Sequence, residues 1–571
     1  MLFHIAMWLA LSYLAVGLGL AAIIRGGNTL AEFNSNSKAQ DVLLFSAWLG
    51  IALIALASFF LALWIPLSAF TSLGLLIFTL IVAFWGWQRA ARFPDISTAW
   101  RNLLPVVCIL AAVLSERSSS AGNLDDSGGY HWSLIRWYGE FGIPTGLGLF
   151  QWRLATHSSW LAFSALFDHG FLTSRVGNLA NGLLFLWSLT HLALGAWRIS
   201  QGNGTKGDAF VVAGFFLILS IVLAWDMRRS PSPDIPIFLF CVVIGWAFLQ
   251  FRRVDKSLIF GRALVFLAAF AVTVKLSALP LLLILIGLFL WREQGRIGKS
   301  LQVILLAAFP VLTVISSSFI TTGCTLFPSS LLCFDVSWGV GSSTAREYSA
   351  YVNATAPRNM SQWLVLSSLC LAALVSRRKF RTSEGSLGVC AMAIGGIAFS
   401  LYFAPTTRFA LGFLVLIPAL TLATYSSDVA NVLTRVTPKL RWALSFTFLS
   451  LLSLALILPL YKEFIYKKLR NKEYISYADR QRGDVSINEA SPYWYLVPNR
   501  VFFSGEFKTE QGYDFQYQVL SPGAGNCWTS KLPCASNPEL SFMSSIQLSD
   551  ATKGLIAGFI RRPVLPPTER R

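Results

Sequence analysis

Two adjacent carboxylates, Asp125 and Asp126, lie a short polar stretch beyond a long apolar segment and precede a Ser-Gly-Gly turn. A carboxylate pair beside an apolar segment is costly unless it is solvated or used. A carboxylate held next to a hydroxyl group can accept its proton and so act as a general base. The alternative is a solvated Asp-Asp turn that caps the following helix. The residue types leave both interpretations open.

Further charged residues stand at the ends of apolar segments: Asp234 in SPSPDIP, Lys275 in TVKLSALP, Arg408 in APTTRF, and Arg228 and Arg229 shortly before Asp234. Arginine gives bidentate contacts to phosphate or pyrophosphate, and lysine supplies a point charge. Such cations also stabilise the charge that develops on a departing phosphate. The alternative is that they reach out to lipid headgroups.

Three histidines, His131, His157 and His169, share a loop with the aspartates. Two carboxylates and a histidine can hold a divalent ion, whereas histidines at an interface usually form local hydrogen bonds. The chain has no HExxH and no CxxC pair. We therefore predict no metal site and no cofactor, with a divalent ion as the open alternative. Tyr130, His131, Arg136 and His157 are assigned to the acceptor or sugar side of a site.

The composition identifies the environment of these residues. The 571-residue chain is 55% hydrophobic and only 13% charged, with a mean hydropathy of +0.59. Soluble chains carry roughly 25% charged residues, so an ordinary cytosolic enzyme and a disordered or collagen-like chain are excluded. Apolar runs long enough to cross a bilayer recur, which predicts an all-α polytopic membrane protein. The net charge of +18 is explained by basic cytoplasmic loops, so no nucleic-acid partner is expected.

About fourteen spans are predicted, or twelve if short segments form a broken or re-entrant unit. They cover residues 2–24, 42–64, 66–88, 103–116, 176–197, 209–225, 235–251, 258–274, 279–292, 301–320, 362–376, 386–403, 408–424 and 442–461. Residues 1–24 lack a basic start and are read as a retained span.

The basic residues predict the orientation. One set of short loops holds 20 lysines and arginines, whereas the longer opposite loops hold 10, leaving out the C-terminal tail. The first set is therefore expected to be cytoplasmic. This places six charged residues together on the outer side: Asp126, Arg228, Arg229, Asp234, Lys275 and Arg408.

The predicted organisation has four parts. They are N-terminal spans (1–116), an outer loop with interfacial helices (117–175), a transmembrane core with a second outer loop at 321–361 (176–461), and an extracytoplasmic tail (462–571). The aromatic segment YHWSLIRWYGEFG and residues 158–167 predict helices lying along the membrane interface.

Trp338 and Tyr348, in the second loop, either stack on a sugar or pack against the membrane surface. The tail begins with a basic helix, KEFIYKKLRNKEY, and is expected to form a small α+β cap.

The cysteines agree with this orientation. Cys324 and Cys333 share an outer loop, and Cys527 and Cys534 share the tail. The other four, Cys108, Cys241, Cys370 and Cys390, lie singly within spans. Pairing on the outer side alone fits an oxidising compartment, so two disulfides are predicted, with chance proximity of free thiols as the alternative.

Five motifs carry a resemblance to a known family: LDDSGGYH at 124–131, the following IRWYGEFGIPTGLG, SPSPDIP, TVKLSALP and APTTRFALG. With them the chain resembles the polyprenyl-phosphate-dependent, GT-C-type membrane glycosyltransferases of bacteria. It looks closest to a branch in which an aspartate-Tyr-His segment precedes a Gly-Ile-Pro stretch. The resemblance covers roughly residues 100–430. It implies a GT-C-like bundle of about 12–14 transmembrane helices, outer interfacial helices and a small C-terminal extramembrane segment.

The resemblance also implies a mechanism. A sugar arrives on a polyprenyl phosphate or pyrophosphate, and an outer-loop aspartate, Asp125 or Asp126, accepts the proton of the acceptor hydroxyl. The hydroxyl attacks the anomeric carbon with inversion, and lipid phosphate leaves. Asp234 would be a second acidic catalytic residue. Lys275 and Arg408 would hold the phosphate, assisted by Arg228 or Arg229.

The expected partners are a polyprenyl-linked sugar, a glycan or lipid acceptor and membrane lipid. The expected location is a bacterial plasma (inner) membrane, with the site and the tail facing the periplasm or exterior. Two other enzymatic or transport roles remain open: a ligase or polymerase of lipid-linked oligosaccharides, and a non-enzymatic transporter or flippase. A purely structural membrane protein is a further alternative.

Overall fold

The structure is a computed structural model. It describes residues 1–24, 36–118, 126–224, 230–251, 258–292, 297–355, 360–377, 380, 383–403, 405–434, 507–512, 514–520, 527, 531–535 and 545–562. Several predictions lie outside these residues, namely Asp125, Arg228, Arg229, the span at 442–461 and the basic helix at the start of the tail.

The described chain is mostly helical. The longer helices are α1 (Leu2–Ile24), α2 (Asn36–Ala62), α3 (Ala69–Ala90), α4 (Pro94–Ser118), α8 (Leu179–Ser200), α9 (Lys206–Ala224), α10 (Asp234–Phe251), α11 (Leu258–Val274), α12 (Leu279–Arg292), α13 (Ile297–Thr322), α14 (Ser342–Thr355), α15 (Ser361–Ser376), α16 (Glu384–Phe403) and α18 (Leu416–Thr434). The shorter ones are α5 (Trp132–Glu140), α6 (Leu147–Phe150), α7 (Ser159–Ala165) and α17 (Thr407–Leu414).

Nine helices of the described residues are long and apolar enough to cross a bilayer, and three shorter apolar helices accompany them. The protein is therefore a multi-pass membrane protein. Helices form at every predicted span within the described part. α4 begins at Pro94 instead of near residue 103, because proline is well tolerated in the first turn of a helix. The span predicted at 408–424 is divided at Val415 into α17 and α18.

The first three helices pack with their backbones in close contact. A Cβ atom at Gly19 would lie 2.0 Å from Ser46 O, and one at Gly50 would lie 1.8 Å from Ala15 O. Small residues allow such approach between helices in lipid, where packing drives association. α1 also contacts α8, because Trp8 Nε1 donates to Leu179 O at 3.0 Å. The N-terminal helices are thus packed against the rest of the bundle.

The predicted helices of the outer loop form, but their aromatic residues face protein. Trp132, Trp137 and Tyr138 of α5 are at most 1% exposed, and every residue of α7 is buried. α7 packs against α2, and α5 packs against α7. The side chains of α5 and α7 therefore face protein, since an apolar stripe can face lipid or protein equally well. Their position along the membrane interface stays a prediction.

Five short strands follow the helical part. β1 (Phe507–Gln511) pairs antiparallel with β2 (Gln516–Leu520), and β2 pairs parallel with β3 (Cys534–Ala535). β4 (Ile546–Leu548) pairs antiparallel with β5 (Phe559–Arg561).

Strand β5 is attached to both long loops. Phe559 N donates to Thr145 O at 2.8 Å, and the Phe559 ring stacks on Phe150 at 5.3 Å between centroids. Arg561 Nη2 donates to Val340 O at 2.7 Å. The tail and the loops around α6 and α14 therefore share one end of the bundle.

A buried polar cluster lies at the C-terminal ends of α8 and α10. Arg198 Nη1 lies 2.6 Å from Asp41 Oδ1 and 3.1 Å from Asp208 Oδ1. Gln250 Nε2, in the last turn of α10, donates to Asp41 Oδ2 at 2.7 Å. This buried network ties α2, α8, α9 and α10 together at one end of the bundle, as the predicted grouping of loops requires.

Both predicted disulfides are confirmed. Cys324 bonds to Cys333 and Cys527 to Cys534, whereas Cys108, Cys241, Cys370 and Cys390 are free thiols.

Candidate functional site

Four separate elements converge at the end of the bundle that carries the long loops. Asp126 precedes a π-helical turn, Ser127–His131, and Asp234 is the first residue of α10. Lys275 lies at the break between α11 and the single 3₁₀ turn that leads into α12, and Arg408 is in the first turn of α17. The structure thus brings together four of the predicted site residues.

These four residues form a continuous chain of ion pairs. Arg408 Nη1 lies 2.6 Å from Asp126 Oδ2, and Arg408 Nε lies 2.6 Å from Asp234 Oδ2. Lys275 Nζ pairs with Asp234 Oδ1 and lies 3.8 Å above the Phe409 ring. Two carboxylates and two cations leave the cluster with no net formal charge, so an arriving anion must compete with the carboxylates for the cations.

The two carboxylates differ in access. The Asp234 side chain is 2% exposed, and each of its oxygens contacts a cation. The Asp126 side chain is 28% exposed. Asp126 stands at the N-cap position of the π-helical turn but makes no capping hydrogen bond with its side chain. The capping interpretation therefore does not describe Asp126, and this residue alone of the two offers an accessible oxygen.

The cations keep some exposure as well. The Lys275 side chain is 27% exposed and that of Arg408 is 35% exposed. Arg408 contacts the carboxylates through Nη1 and Nε, which leaves the N–H donors of Nη2 for another group. Both cations are therefore held in place yet open to a ligand.

A buried hydrogen-bond chain positions the acidic residues. Trp160 Nε1 of α7 donates to Asn181 Oδ1 at 2.7 Å, and Asn181 Nδ2 donates to Ser230 O at 2.5 Å. Ser230 Oγ lies 2.6 Å from Ser127 Oγ, next to Asp126. Ser232 Oγ donates to Asp234 Oδ2 at 3.3 Å. Because these groups are buried, their hydrogen bonds fix the turn that carries Asp126 relative to the start of α10.

The charges of the cluster set the acidity of its neighbours. Burial would raise the pKa of Asp126, but Arg408 outweighs it, so this pKa is below its usual value. Burial lowers the pKa of His131 to about 4 although Asp126 opposes this, so His131 is neutral near pH 7. Burial and the Asp126 charge raise the pKa of Tyr130 well above its usual value, so its hydroxyl keeps its proton.

His131 is fully buried, and neither ring nitrogen has a hydrogen-bond partner within the described part of the chain. Its ring centroid lies 4.3 Å from that of Tyr130. An unsatisfied polar ring is costly, so the buried His131 ring is a strained neighbour of the site, and the partly buried Tyr130 beside it can offer its hydroxyl to a ligand.

The other predicted residues of the loop make contacts within it or with α3. Arg136 pairs with Glu140 one helical turn later at 2.5 Å. His157 Nδ1 lies 2.9 Å from the Tyr138 hydroxyl, and His169 Nε2 lies 3.0 Å from Ser72 Oγ. These contacts stabilise the loop. The described residues contain no group of three or more His, Cys, Asp or Glu side chains arranged to hold a metal ion.

The sequence analysis missed Arg153 and Tyr351, and it gave Tyr348 only a general role. Arg153 lies in the 3₁₀ turn Trp152–Ala155, and its Nη2 is 3.5 Å from the Tyr351 hydroxyl. Asn181 was also missed, although an amide within an otherwise apolar helix is a recognisable signal. Arg153 has no comparable signal, since its neighbours in sequence are those of an ordinary loop.

Trp338, for which sugar stacking was considered, packs on the bundle. Its Nε1 donates to Phe319 O at 3.2 Å, and the two rings meet edge to face.

Comparison with known proteins gave one family match. No curated protein and no solved structure matched the chain. A family model described as "Domain of unknown function (DUF8201)" matched residues 1–363. The match begins with the N-terminal helices and includes Asp126, Asp234 and Lys275, and it ends before Arg408. Because it covers more than half of the 571 residues, the chain belongs to the DUF8201 family.

Proposed function

We propose that the protein is a membrane glycosyltransferase of GT-C-like architecture, which moves a sugar from a polyprenyl phosphate or pyrophosphate to an acceptor hydroxyl. The supporting observation is the meeting of an accessible carboxylate, Asp126, with two partly exposed cations, Lys275 and Arg408, at the ends of apolar helices. Lipid-linked phosphates lie at the depth of such helix ends, with their chains in the bilayer.

In the proposed reaction, Asp126 accepts the proton of the acceptor hydroxyl. The hydroxyl oxygen forms a bond to the anomeric carbon with inversion while the bond from that carbon to the phosphate oxygen breaks. The electron pair leaves with the phosphate, and Lys275 and Arg408 stabilise its charge. Asp234 contacts both cations and is buried, so its proposed role is to position them.

Carrier binding also changes the strength of the base. Arg408 lowers the pKa of Asp126 while the two are paired. A phosphate that takes up part of the charge of Arg408 weakens this effect, and the pKa of Asp126 then rises toward its usual value. Proton transfer to Asp126 is thereby favoured when the carrier is bound.

The test is binding of undecaprenyl phosphate, compared with undecaprenol, to the purified protein in phosphatidylcholine nanodiscs, read by native mass spectrometry. We expect the phosphate to be retained at least tenfold better, Lys275→Gln to lose this preference and Lys275→Arg to keep most of it. The control is Lys553→Gln in the tail, whose side chain is 70% exposed. Equal retention of both lipids, or an unchanged preference in Lys275→Gln, would contradict the proposal.

Product analysis separates the neighbouring functions. Single sugars on the acceptor support the transferase, block addition supports a ligase or polymerase, and uptake into sealed vesicles without a covalent product supports a transporter. The proposed outer location is bacterial, with the site facing the periplasm or exterior.

A further inference from the structure

Arg153 is a half-buried cation that pairs with no anion among the described residues. Its guanidinium makes one side-chain contact in the described part of the chain, 3.5 Å from the Tyr351 hydroxyl, and no described carboxylate lies within ion-pair distance. A desolvated charge is costly unless it is paired. The cations that meet Asp126 and Asp234 are paired with carboxylates, so Arg153 differs from them.

A series of stacked and edge-on aromatic rings continues from Tyr351, the residue that Arg153 contacts. Tyr348 is 7% exposed, stacks on Phe327 at 5.4 Å and meets the edge of Trp152 at 6.0 Å. Tyr351 stacks on Tyr348 at 6.5 Å. Burial raises the pKa of Tyr348 to about 12, although Arg153 opposes this. The Tyr348 hydroxyl therefore keeps its proton and can donate a hydrogen bond to an anion beside Arg153.

Arg153 is also close enough to Asp126 for their charges to interact. Burial would lower the pKa of Arg153, but Tyr348 and Asp126 outweigh it, so this pKa is raised. Tyr130 is a further contributor to this shift. Arg153 therefore lies within electrostatic range of the candidate base, whereas Lys275 is the cation assigned to the carrier phosphate.

We propose that Arg153, with Tyr348 and Tyr351, binds an anionic group on the acceptor, so that the acceptor is an acidic molecule carrying a carboxylate or phosphate. The identification of the bound molecule as an acceptor rests on the proposed function. The binding of an anion at Arg153 does not depend on it. The same chemistry could come from the second phosphate of a pyrophosphate carrier, and the probes below separate the two sources.

The experiment measures dissociation constants of four probes with the purified protein in phosphatidylcholine nanodiscs. The probes are D-glucuronate, D-glucose, inorganic phosphate and methylene diphosphonate. We expect D-glucuronate to bind at least tenfold better than D-glucose, Arg153→Gln to remove this advantage and Arg153→Lys to keep part of it. Arg346→Gln, on an exposed position of α14, should bind as the wild type does. Unfolding temperatures without probe confirm that each variant is folded.

Each outcome is decisive. Equal binding of D-glucuronate and D-glucose, or an advantage that survives in Arg153→Gln, overturns the proposal. If Arg153→Gln weakens methylene diphosphonate relative to inorganic phosphate but leaves D-glucuronate unchanged, the anion is the carrier's second phosphate and the acidic acceptor is overturned. D-glucuronate binding that depends on Arg153 but persists in Lys275→Gln supports the anion pocket. This holds even if the protein does not retain undecaprenyl phosphate, so the pocket and the proposed function can fail separately.

Discussion

Arg408 Nη1 lies 2.6 Å from Asp126 Oδ2, so the strongest candidate for a phosphate-binding residue holds the strongest candidate for a base. The same guanidinium reaches Asp234 through Nε. Charge-assisted contacts of this length are strong. A ligand phosphate therefore cannot bind Arg408 without changing the environment of Asp126, which links occupation of the carrier site to the reactivity of the base.

The two carboxylates should respond differently to removal of their charge. Asp126→Asn should lower transfer from a lipid-linked sugar pool by roughly 10²-fold or more, the usual loss when a general base is removed, with little change in unfolding temperature. Asp234→Asn should destabilise the fold by about 3–5 kcal/mol, because it breaks a buried pair, leaves Lys275 without its carboxylate and leaves Arg408 with Asp126 alone. Thermal unfolding and transfer assays on both variants check this. An active Asp126→Asn protein would remove Asp126 as the base.

Asn181→Leu should lower activity although Asn181 contacts none of the four charged residues of the site. The variant loses the hydrogen bonds to Trp160 and Ser230 and leaves buried groups unsatisfied, at about 1–3 kcal/mol each. We expect a lower turnover number with a smaller effect on undecaprenyl phosphate binding. Asn181→Asp, which can still accept from Trp160, should retain more activity. Equal turnover in Asn181→Leu and wild type would show that the chain does not position Asp126.

Asp168 should give stability a dependence on pH. Burial raises its pKa to about 7, although its hydrogen bond from Ser174 N opposes this. Between about pH 4, the usual value for a carboxyl, and pH 7, the folded state binds more protons than the unfolded state. Its contribution to stability is therefore full at low pH and is lost as the pH rises toward 7.

Replacement of Asp168 tests that dependence. An asparagine side chain does not titrate, so the stability of Asp168→Asn relative to wild type should increase from pH 4 to pH 7 and then level off. Unfolding temperatures in detergent across this range give the measurement. The exposed Asp550→Asn variant is the control and should follow the wild type above about pH 5. A constant difference between Asp168→Asn and wild type would mean that Asp168 is charged throughout.

The disulfide between Cys324 and Cys333 should stabilise the loop that carries Tyr348. It closes a loop with a sequence separation of 9, for which chain entropy predicts roughly 2–3 kcal/mol. Replacing both cysteines by serine should lower the unfolding temperature, and the Cys527–Cys534 double variant should act mainly on the tail. Mass spectrometry of alkylated protein with and without reductant shows whether both bonds form in the cell. Free thiols at all four positions would contradict the predicted oxidising side.

The orientation of the protein in the membrane can be determined by labelling single cysteines introduced at exposed positions. Asn203 lies between α8 and α9, and Ala551 lies between β4 and β5. A membrane-impermeant maleimide should label Ala551→Cys in intact spheroplasts and label Asn203→Cys only after the membrane is opened. Labelling in the reverse order would place the tail and the site in the cytoplasm.

The sequence identified the charged residues of the site more completely than their surroundings. Lys275 and Arg408 were predictable because a charge in a short break between apolar segments has few explanations other than function. The burial of Trp132 and Trp137 was not, because amphipathic periodicity does not distinguish a lipid surface from the interior of a protein. Arg153 was missed because only the fold brings it next to Tyr351. The choice between Asp125 and Asp126 as the base stays a prediction, since Asp125 lies outside the described residues.

The contact between Phe559 and the loop around Thr145 has a consequence for biosynthesis. A ribosome makes β5 after every described helix, yet β5 rests on a loop that was made more than four hundred residues earlier. The surface beside the candidate site is therefore complete only when translation has passed Arg561. A nascent or truncated chain can insert its helices and still lack this surface, so synthesis of the tail sets the moment at which the assembled site becomes available.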